Sequence, residues 1–297
     1  MLDVFNEHIP VIVNEVIKYL SSPKVVVDCT LGLGGYTEKI LQEFPDSVVY
    51  GLDQDGEAIE KAKSNLRKYD CRFTPLRGNF CNLERLLAPL GIRKIDAFVF
   101  DLGVSNMQLS AAERGFAFQL EGPLDMRMDK DVGEPVSVAV NSLSAKELAD
   151  IFRKYGEEKF AWQIACGIEK SRKKNYIETT EQLVSLIREI LPAPVQRKMG
   201  GHPARRIFQA LRIYVNGELD ALSEGLAACA KLASADTEVV VVSYHSLEDR
   251  IVKHTFLQWK REGLGEILTK HPVLPSDEEM ALNFKSRSAK LRAFRFM

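Results

Sequence analysis

Residues 25–41 read VVVDCTLGLGGYTEKIL. Three valines predict a strand buried on both faces, as in a parallel sheet, and the stretch from Tyr36 predicts an amphipathic helix. Between them lies a loop with Gly32, Gly34 and Gly35. Glycines at such a junction let the backbone approach a ligand and expose the amides of the helix N-terminus. Asp53 ends the next predicted strand, residues 48–53, where a carboxylate reaches ribose hydroxyls. Two ligands suit this pair. A dinucleotide wants GxGxxG, but the sixth position counted from Gly32 is Thr37; S-adenosylmethionine accepts a looser glycine loop preceded by an acid, which Asp28 supplies. A tight strand-to-helix turn with no ligand is the third reading.

Outward from this stretch, strand and helix signals alternate over residues 25–101. Asp55 is a helix-cap candidate ahead of Ala58, Ile59, Ala62 and Leu66, and further strands are predicted at 72–76 and 97–101. Alternation of this kind marks an α/β fold with a mostly parallel sheet. Asp28, Asp53 and Asp101 then stand at three strand ends, where such sheets hold their ligands. That much negative charge favours a nucleoside with a cationic sulfonium over a pyrophosphate, and no GK[ST] follows Gly35. Beyond about residue 110 the strand signals fade. Ser144 with Glu147, and Thr179 with Gln182, predict two helices opened by capping boxes. One long helix is expected over 208–232, despite Gly217 and Gly225, before strand character returns at 238–243 and at the C-terminus. The expected organisation is a sheet domain in two parts, 1–112 and 208–297, around a helical insert at 113–207.

The 297 residues include 40 Lys plus Arg and 41 Asp plus Glu, and 45% are hydrophobic. This is the composition of an ordinary globular protein with ample core. Cys29, Cys71, Cys81, Cys166 and Cys229 are odd in number and lack metal-ligand spacing, so they read as reduced thiols of a cytoplasmic protein. No run approaches a membrane span, and MLDVFNEHIP lacks the basic residues of a targeting signal. The net charge of −1 hides two basic runs. Residues 193–217 hold Arg197, Lys198, Arg205, Arg206 and Arg212 without an acid, and residues 284–297 hold Lys285, Arg287, Lys290, Arg292 and Arg295. They read as solvated faces or as a phosphate-binding rim.

Nine segments carry a resemblance. HIPVIVNEVI (8–17), DCTLGLGGYT (28–37), FDLGVSNMQL (100–109), ERGFAF (113–118), GPLDMRMD (122–129), YGEEKFA (155–161), FQALRIYVNGEL (208–219), SYHSLEDRIVK (243–253) and RSAKLR (287–292) together resemble the RsmH (MraW) family of ribosomal RNA small-subunit cytosine methyltransferases. The resemblance implies a class I, Rossmann-like methyltransferase domain with an inserted all-helical domain. It also implies S-adenosylmethionine as cofactor and, as substrate, the exocyclic N4 amine of one decoding-centre cytidine in small-subunit rRNA, within an assembled or nearly assembled 30S subunit. Carried over by position, Gly34, Gly35 and Tyr36 would hold the methionine end of the cofactor, Asp53 its ribose, Phe80 and Asp101 the adenine neighbourhood, and Gln108 would close the site. The chain departs from the family's pattern at Tyr36 (usually His), at Cys29 (often Gly), and at Asn283, Phe284 and Lys285 (usually Asn-Pro-Arg).

Amine methylation calls for positioning and a hydrogen-bond acceptor, and for no metal. Asp101 is the expected acceptor and a shared cofactor contact. Methylation at carbon would need a cysteine nucleophile, and residues 102–105 contain none. His245, at a strand end, is either a second catalytic group or a structural hydrogen-bonder; Ser246 with Asp249 is expected to cap the helix behind it. Phe116 and Phe118 are candidates to receive a flipped base, or anchors of the insert. His202, Arg205, Arg206, Arg127, Lys285 and Arg287 are the expected RNA contacts. GPLDMRMD alternates apolar and charged residues and reads as a half-buried extended segment. The rivals are a nicotinamide-dependent dehydrogenase and a methyltransferase-like RNA-binding module without activity.

Overall fold

EVVVVS at residues 238–243 is buried along its whole length, as a strand covered by helices on both faces must be. The computed structural model describes residues 10–199 and 201–297. His8 and Ile9 of the first resembling segment, and Gly200, lie outside the described residues. The chain forms two compact units, one running to Gly103 and resuming at Leu219, the other spanning Val104–Glu218.

The first unit begins with α1 (Val13–Lys18), β1 (Val25–Asp28), α2 (Gly35–Glu43), β2 (Val48–Asp53), α3 (Gly56–Asn65), β3 (Phe73–Arg77), α4 (Leu83–Leu87) and β4 (Ala97–Asp101). The second unit contributes α5 (Asn106–Ser110), α6 (Val136–Ser142), α7 (Ala145–Gly156), α8 (Ala161–Arg172), α9 (Thr180–Ile190), α10 (Ala193–Lys198) and α11 (Arg205–Asn216). The chain continues through α12 (Glu218–Leu232), β5 (Glu238–Ser243), α13 (Ser246–Arg261), β6 (Gly265–Ile267), α14 (Asp277–Leu282) and β7 (Lys290–Phe296).

The strands form one sheet in the order β3-β2-β1-β4-β5-β7-β6, parallel except for β7, which is antiparallel to both its neighbours. Strand parity sorts the core into two layers. Val26, Val49, Val99 and Val242 pack with α1, α2 and α3 residues such as Val16, Ile40 and Ile59. Val27, Leu52, Phe100 and Val241 pack on the other face with Leu87, Leu226 and Val252 from α4, α12 and α13. Each fully buried aliphatic side chain contributes about 1.5–3 kcal/mol, so these layers dominate the unit's stability. Phe256, Trp259, Phe294 and Phe296, with ring centroids 5.0–5.5 Å apart, lock α13 onto β7. Counting two residues on from Val26, four from Val49 and two from Val99 places Asp28, Asp53 and Asp101 on one face of the sheet.

The second unit is helical, with a single core drawn from residues 116–128, from α6 to α11 and from the segments between them. Both expected capping boxes are present, Ser144 with Glu147 on α7 and Thr179 with Gln182 on α9. Residues 122–129 form a clasped loop and no strand. Their alternation holds, with Leu124, Met126 and Met128 buried, but Met126 takes a left-handed φ of 62°. Asn216 stands in for a strand partner, donating from Nδ2 to Met126 O at 2.8 Å and accepting from Met128 N at 2.7 Å. The buried Arg114 donates from Nη2 to Arg127 O and Met128 O. Three of the resembling segments are therefore parts of one clasp.

Two expectations change. Residues 208–232 are two helices, because Gly217 at φ 58° closes α11 in a left-handed cap. The units divide at 103/104 and 218/219, and not at the expected 112/113 and 207/208. Leu109 packs against the helical core, and Ile207, Phe208, Ala210 and Leu211 belong to it, so the flanks of the insert go with the insert.

Candidate functional site

At the end of β1 the chain turns through Gly32 (φ 52°) and Gly34 (φ 88°) into α2. Gly34 is the N-cap of α2, so Gly35 and Tyr36 lie in its first turn, where backbone amides have no intrahelical acceptor. A Cβ at Gly34 would come within 2.7 Å of Leu66 Cδ1, so the loop is glycine for packing as well as for φ. The side chain of Tyr36 is buried and donates its hydroxyl hydrogen to Val11 O, tying α2 to the segment before α1. Only the backbone of Tyr36 remains to serve a ligand, and a backbone contact is indifferent to the exchange of His for Tyr.

The three acids have different employments. Asp28 is buried and internally spent: Thr37 Oγ1 donates to Oδ2 at 2.7 Å and Thr30 N to Oδ1 at 3.2 Å. Burial lifts its pKa to about 6, against the opposing pull of Thr37 and Thr30. It braces the glycine loop. Asp53 accepts from Gly32 N at 2.8 Å and from Asp55 N at 2.9 Å, and burial lifts it to about 6. Asp101 donates its amide hydrogen to Thr30 Oγ1 at 2.6 Å, and its Oδ1 accepts from Tyr244 OH at 2.6 Å. Burial lifts Asp101 to about 7, reinforced by Asp28 and Glu248 and opposed by Tyr244 and Lys285. Lys285, expected as an RNA contact, is thus electrostatically linked to Asp101.

Phe80 belongs to the opposite core layer, edge-on to Phe100 at 5.5 Å and against Gly225. Gln108 lies in the second unit, where its Oε1 accepts from Ser105 N in the capping box that opens α5.

His245, expected as a second catalytic group or a structural hydrogen-bonder, makes a helix cap in the structure. It is the N-cap of α13, its Nδ1 accepting from Glu248 N at 3.3 Å while its own amide donates to Glu248 Oε2 at 3.2 Å. An imidazole nitrogen accepts as a serine oxygen does, and the other ring nitrogen, Nε2, lies 3.2 Å from Glu248 Oε1. The N-cap position is taken by His245 and not by Ser246, and Asp249 pairs with Arg292 at 2.6 Å.

The basic runs are thinner than their charge count. Arg292 is held by Asp249, Arg295 by Glu238 at 2.7 Å, and Arg212 by Glu218 at 2.8 Å. Arg127 is a clasp residue: Nε and Nη2 bind Asp125 at 2.7 and 2.9 Å, and Nη1 donates to Lys130 O and Gly133 O. That engagement leaves it poorly placed as an RNA contact. Arg205, Arg206 and Arg287 are exposed. In the second unit the His202 ring stacks on Phe118 with centroids 4.6 Å apart, and its Nε2 is 2.8 Å from Arg188 Nη2. Burial, then the charge of Arg188, lowers the His202 pKa and so favours the neutral ring. Phe116 is buried in the helical core, as an anchor. Arg188 stands outside the basic runs, and Tyr244, though inside SYHSLEDRIVK, has nothing in the sequence that marks it as a partner of Asp101.

This sheet order with an antiparallel β7, the glycine turn after β1 and the acid ending β2 define a class I S-adenosylmethionine-dependent methyltransferase domain. The MraW methylase family matches residues 5–297, and the chain belongs to it. Three curated relatives are each called Ribosomal RNA small subunit methyltransferase H. Those of Halothermothrix orenii and Persephonella marina are each 42% identical, covering 96% of this chain and 97% and 98% of their own lengths. The relative from Carboxydothermus hydrogenoformans is 41% identical over 96% of both chains. The dehydrogenase alternative is set aside by this membership. Among the described residues no helix is long and apolar enough to cross a membrane.

The residues present suit S-adenosylmethionine. First-turn amides of Gly35 and Tyr36 suit its carboxylate, and the acids suit ribose hydroxyls and the two cationic centres. The elevated acids also make affinity pH-dependent. A cationic ligand favours the ionised acids, so binding is weak while they are protonated and strengthens as pH rises through about 6 to 7. Calorimetric titration is expected to show roughly tenfold tighter binding at pH 8 than at pH 5.5. A flat profile between those values would contradict the assignment of these acids to the cofactor.

Proposed function

We propose that this chain transfers a methyl group from S-adenosylmethionine to the exocyclic N4 amine of a cytidine in small-subunit ribosomal RNA, acting in the cytoplasm on an assembled or nearly assembled subunit. The observation that carries the reading is Asp101: a desolvated carboxylate on the same sheet face as Asp53, with one oxygen held by Tyr244. When bound, the cofactor supplies an electrophilic methyl group on a sulfonium. The cytosine amine is a poor nucleophile because its lone pair is delocalised into the ring. Asp101, accepting an N–H of that amine, favours the pyramidal geometry needed for attack and holds the proton that is released. Asp53 orients ribose, and the turn through Gly34 and Gly35 seats the amino-acid end. Metal chemistry has no assigned role in this scheme, and no cysteine is assigned as a nucleophile.

RNA recognition is assigned to exposed cations and one aromatic pair in the insert, together with Arg287 and Lys285 in the C-terminal segment. Arg205 and Arg206 occupy the first turn of α11, where the helix dipole disfavours cations, and that turn contains no acid. Two arginines beside orphan amides suit a phosphate. His202 stacked on Phe118, with Arg188 beside it, offers a ring surface and a charge for an unstacked nucleotide. Replacing Arg205 and Arg206 by Ala is expected to reduce the slope of log affinity against log salt by about 1.4, from two single-stranded phosphate contacts. Filter binding at salt concentrations spanning roughly 50 to 200 mM reads this; an unchanged slope would remove both residues from the interface.

The reaction is tested with labelled S-adenosylmethionine and either naked rRNA or small subunits from cells lacking the enzyme, followed by nucleoside analysis. N4-methylcytidine is expected. Label on adenine or on protein would overturn the acceptor, and no label on either substrate would favour the inactive RNA-binding module.

A further inference from the structure

We propose that Tyr244 is a positioning residue for methyl transfer, its hydroxyl holding one carboxylate oxygen of Asp101 so that the other faces the acceptor amine in its base form. This rests on the role given to Asp101 above.

The pairing follows from strand register. β4 and β5 are parallel, with Asp101 opposite Val242, and Leu102 N donates to Val242 O at 3.0 Å. Tyr244 lies two residues beyond Val242, just past the end of β5, on the face that carries Asp101. Its ring packs against the same core layer. Its amide donates to Glu248 Oε2 at 2.8 Å, which fixes the backbone. Gly103, at φ 92°, brings the loop after β4 close to the ring: a Cβ there would stand 3.6 Å from Tyr244 Cδ2. The hydroxyl therefore has little freedom, and its bond to Asp101 Oδ1, at 2.6 Å, is short enough for a charge-assisted interaction.

The electrostatics around Asp101 show why such a donor matters. Asp28 on β1 and Glu248 on α13 disfavour its ionisation, whereas Lys285 from the segment before β7 and Tyr244 favour it. Tyr36 on α2 is also within electrostatic reach. Burial, then the charge of Asp101, pushes the Tyr244 phenol well above its usual range, so it remains a donor throughout the neutral and mildly alkaline range. Tyr244 makes a hydrogen bond to a named oxygen, and a hydrogen bond sets direction as well as charge.

The test is Tyr244→Phe in the full chain, which removes one atom from a packed ring. Two readouts are taken across the range from mildly acidic to mildly alkaline pH. One is the titration of the Asp101 carboxyl by carbon-13 NMR without cofactor, assigned with Asp101→Asn; the other is the single-turnover rate on the rRNA substrate. The carboxyl midpoint is expected to rise by about one pH unit. The acidic limb of the rate should rise with it, giving transfer about tenfold slower on the acidic side of the limb and near-parental at about pH 9. A carboxyl midpoint equal to that of the parent overturns the proposal whatever reaction the enzyme performs. A midpoint that moves while the limb stays also overturns the positioning role, and it locates the failure in Asp101 as the base. A loss equal at every pH assigns Tyr244 to packing alone.

Discussion

Asp101→Asn is expected to slow methyl transfer by about 10²–10⁴-fold, the usual contribution of a positioned proton acceptor. The substitution preserves shape and the hydrogen bond from the Asp101 amide to Thr30, so the turn is kept. Cofactor binding should change by less than about tenfold, because Asp53 and the glycine turn are untouched. The effect then belongs to the chemical step, equivalent to roughly 3–5 kcal/mol of barrier. In the parent, a base must be ionised, so activity is lost as pH falls through the Asp101 pKa. The limb of kcat/KM reports the free enzyme and is expected near the elevated value of about 7. The limb of kcat should lie lower, because a bound sulfonium favours the carboxylate. Single-turnover rates and calorimetry on the same preparation separate the two effects. A variant within about threefold of the parent rate at saturating cofactor would remove Asp101 from the chemistry.

Gly115→Ala is expected to be strongly destabilising to the clasp of the second unit. Gly115 sits at φ 70°, and a Cβ there would lie 2.2 Å from Pro123 O and 2.9 Å from Asp125 N. Both neighbours are backbone atoms of the loop that Arg114 and Asn216 hold, so relief requires the loop to shift. The expected loss is about 2–4 kcal/mol, part strain and part hydrogen bonds broken in relieving it. Gly133 provides the control. It has nearly the same φ, 71°, and an added methyl group there would meet nothing within 4 Å, so Gly133→Ala should lose only the left-handed penalty of about 1–2 kcal/mol. Urea denaturation of the two variants compares them directly. Equal losses would mean that the close approach at Gly115 is relieved without moving the clasp.

The site was legible where function and backbone coincide. The turn through Gly32 and Gly34 needs positive φ, and that need is written as glycine; Asp28, Asp53 and Asp101 mark strand ends because each interrupts an apolar run. The capping boxes were legible for the same reason, since partners three residues apart are local. Hidden features depend on distant partners. Tyr244 meets Asp101 across 143 positions, through the register of two parallel strands. Arg292 and Arg295 look like a phosphate rim in the sequence, but Asp249 and Glu238, 43 and 57 positions away, hold them. His245 misleads differently: beside Ser246, a better cap by propensity, it takes the cap itself because Glu248 stands three residues on.

The sequence by itself determined the α/β class, the interrupted sheet, the glycine turn with its acids, and the family. These are encoded by periodicity, by φ requirements and by long contiguous segments, all of them properties of neighbouring residues. Only the tertiary structure decided that Asp28 braces while Asp101 is poised, that Arg127 clasps, and that acids hold Arg212, Arg292 and Arg295 within the basic runs. Protonation state and pairing depend on burial and on which distant groups the fold brings within a few ångströms, and a linear order of residues carries neither.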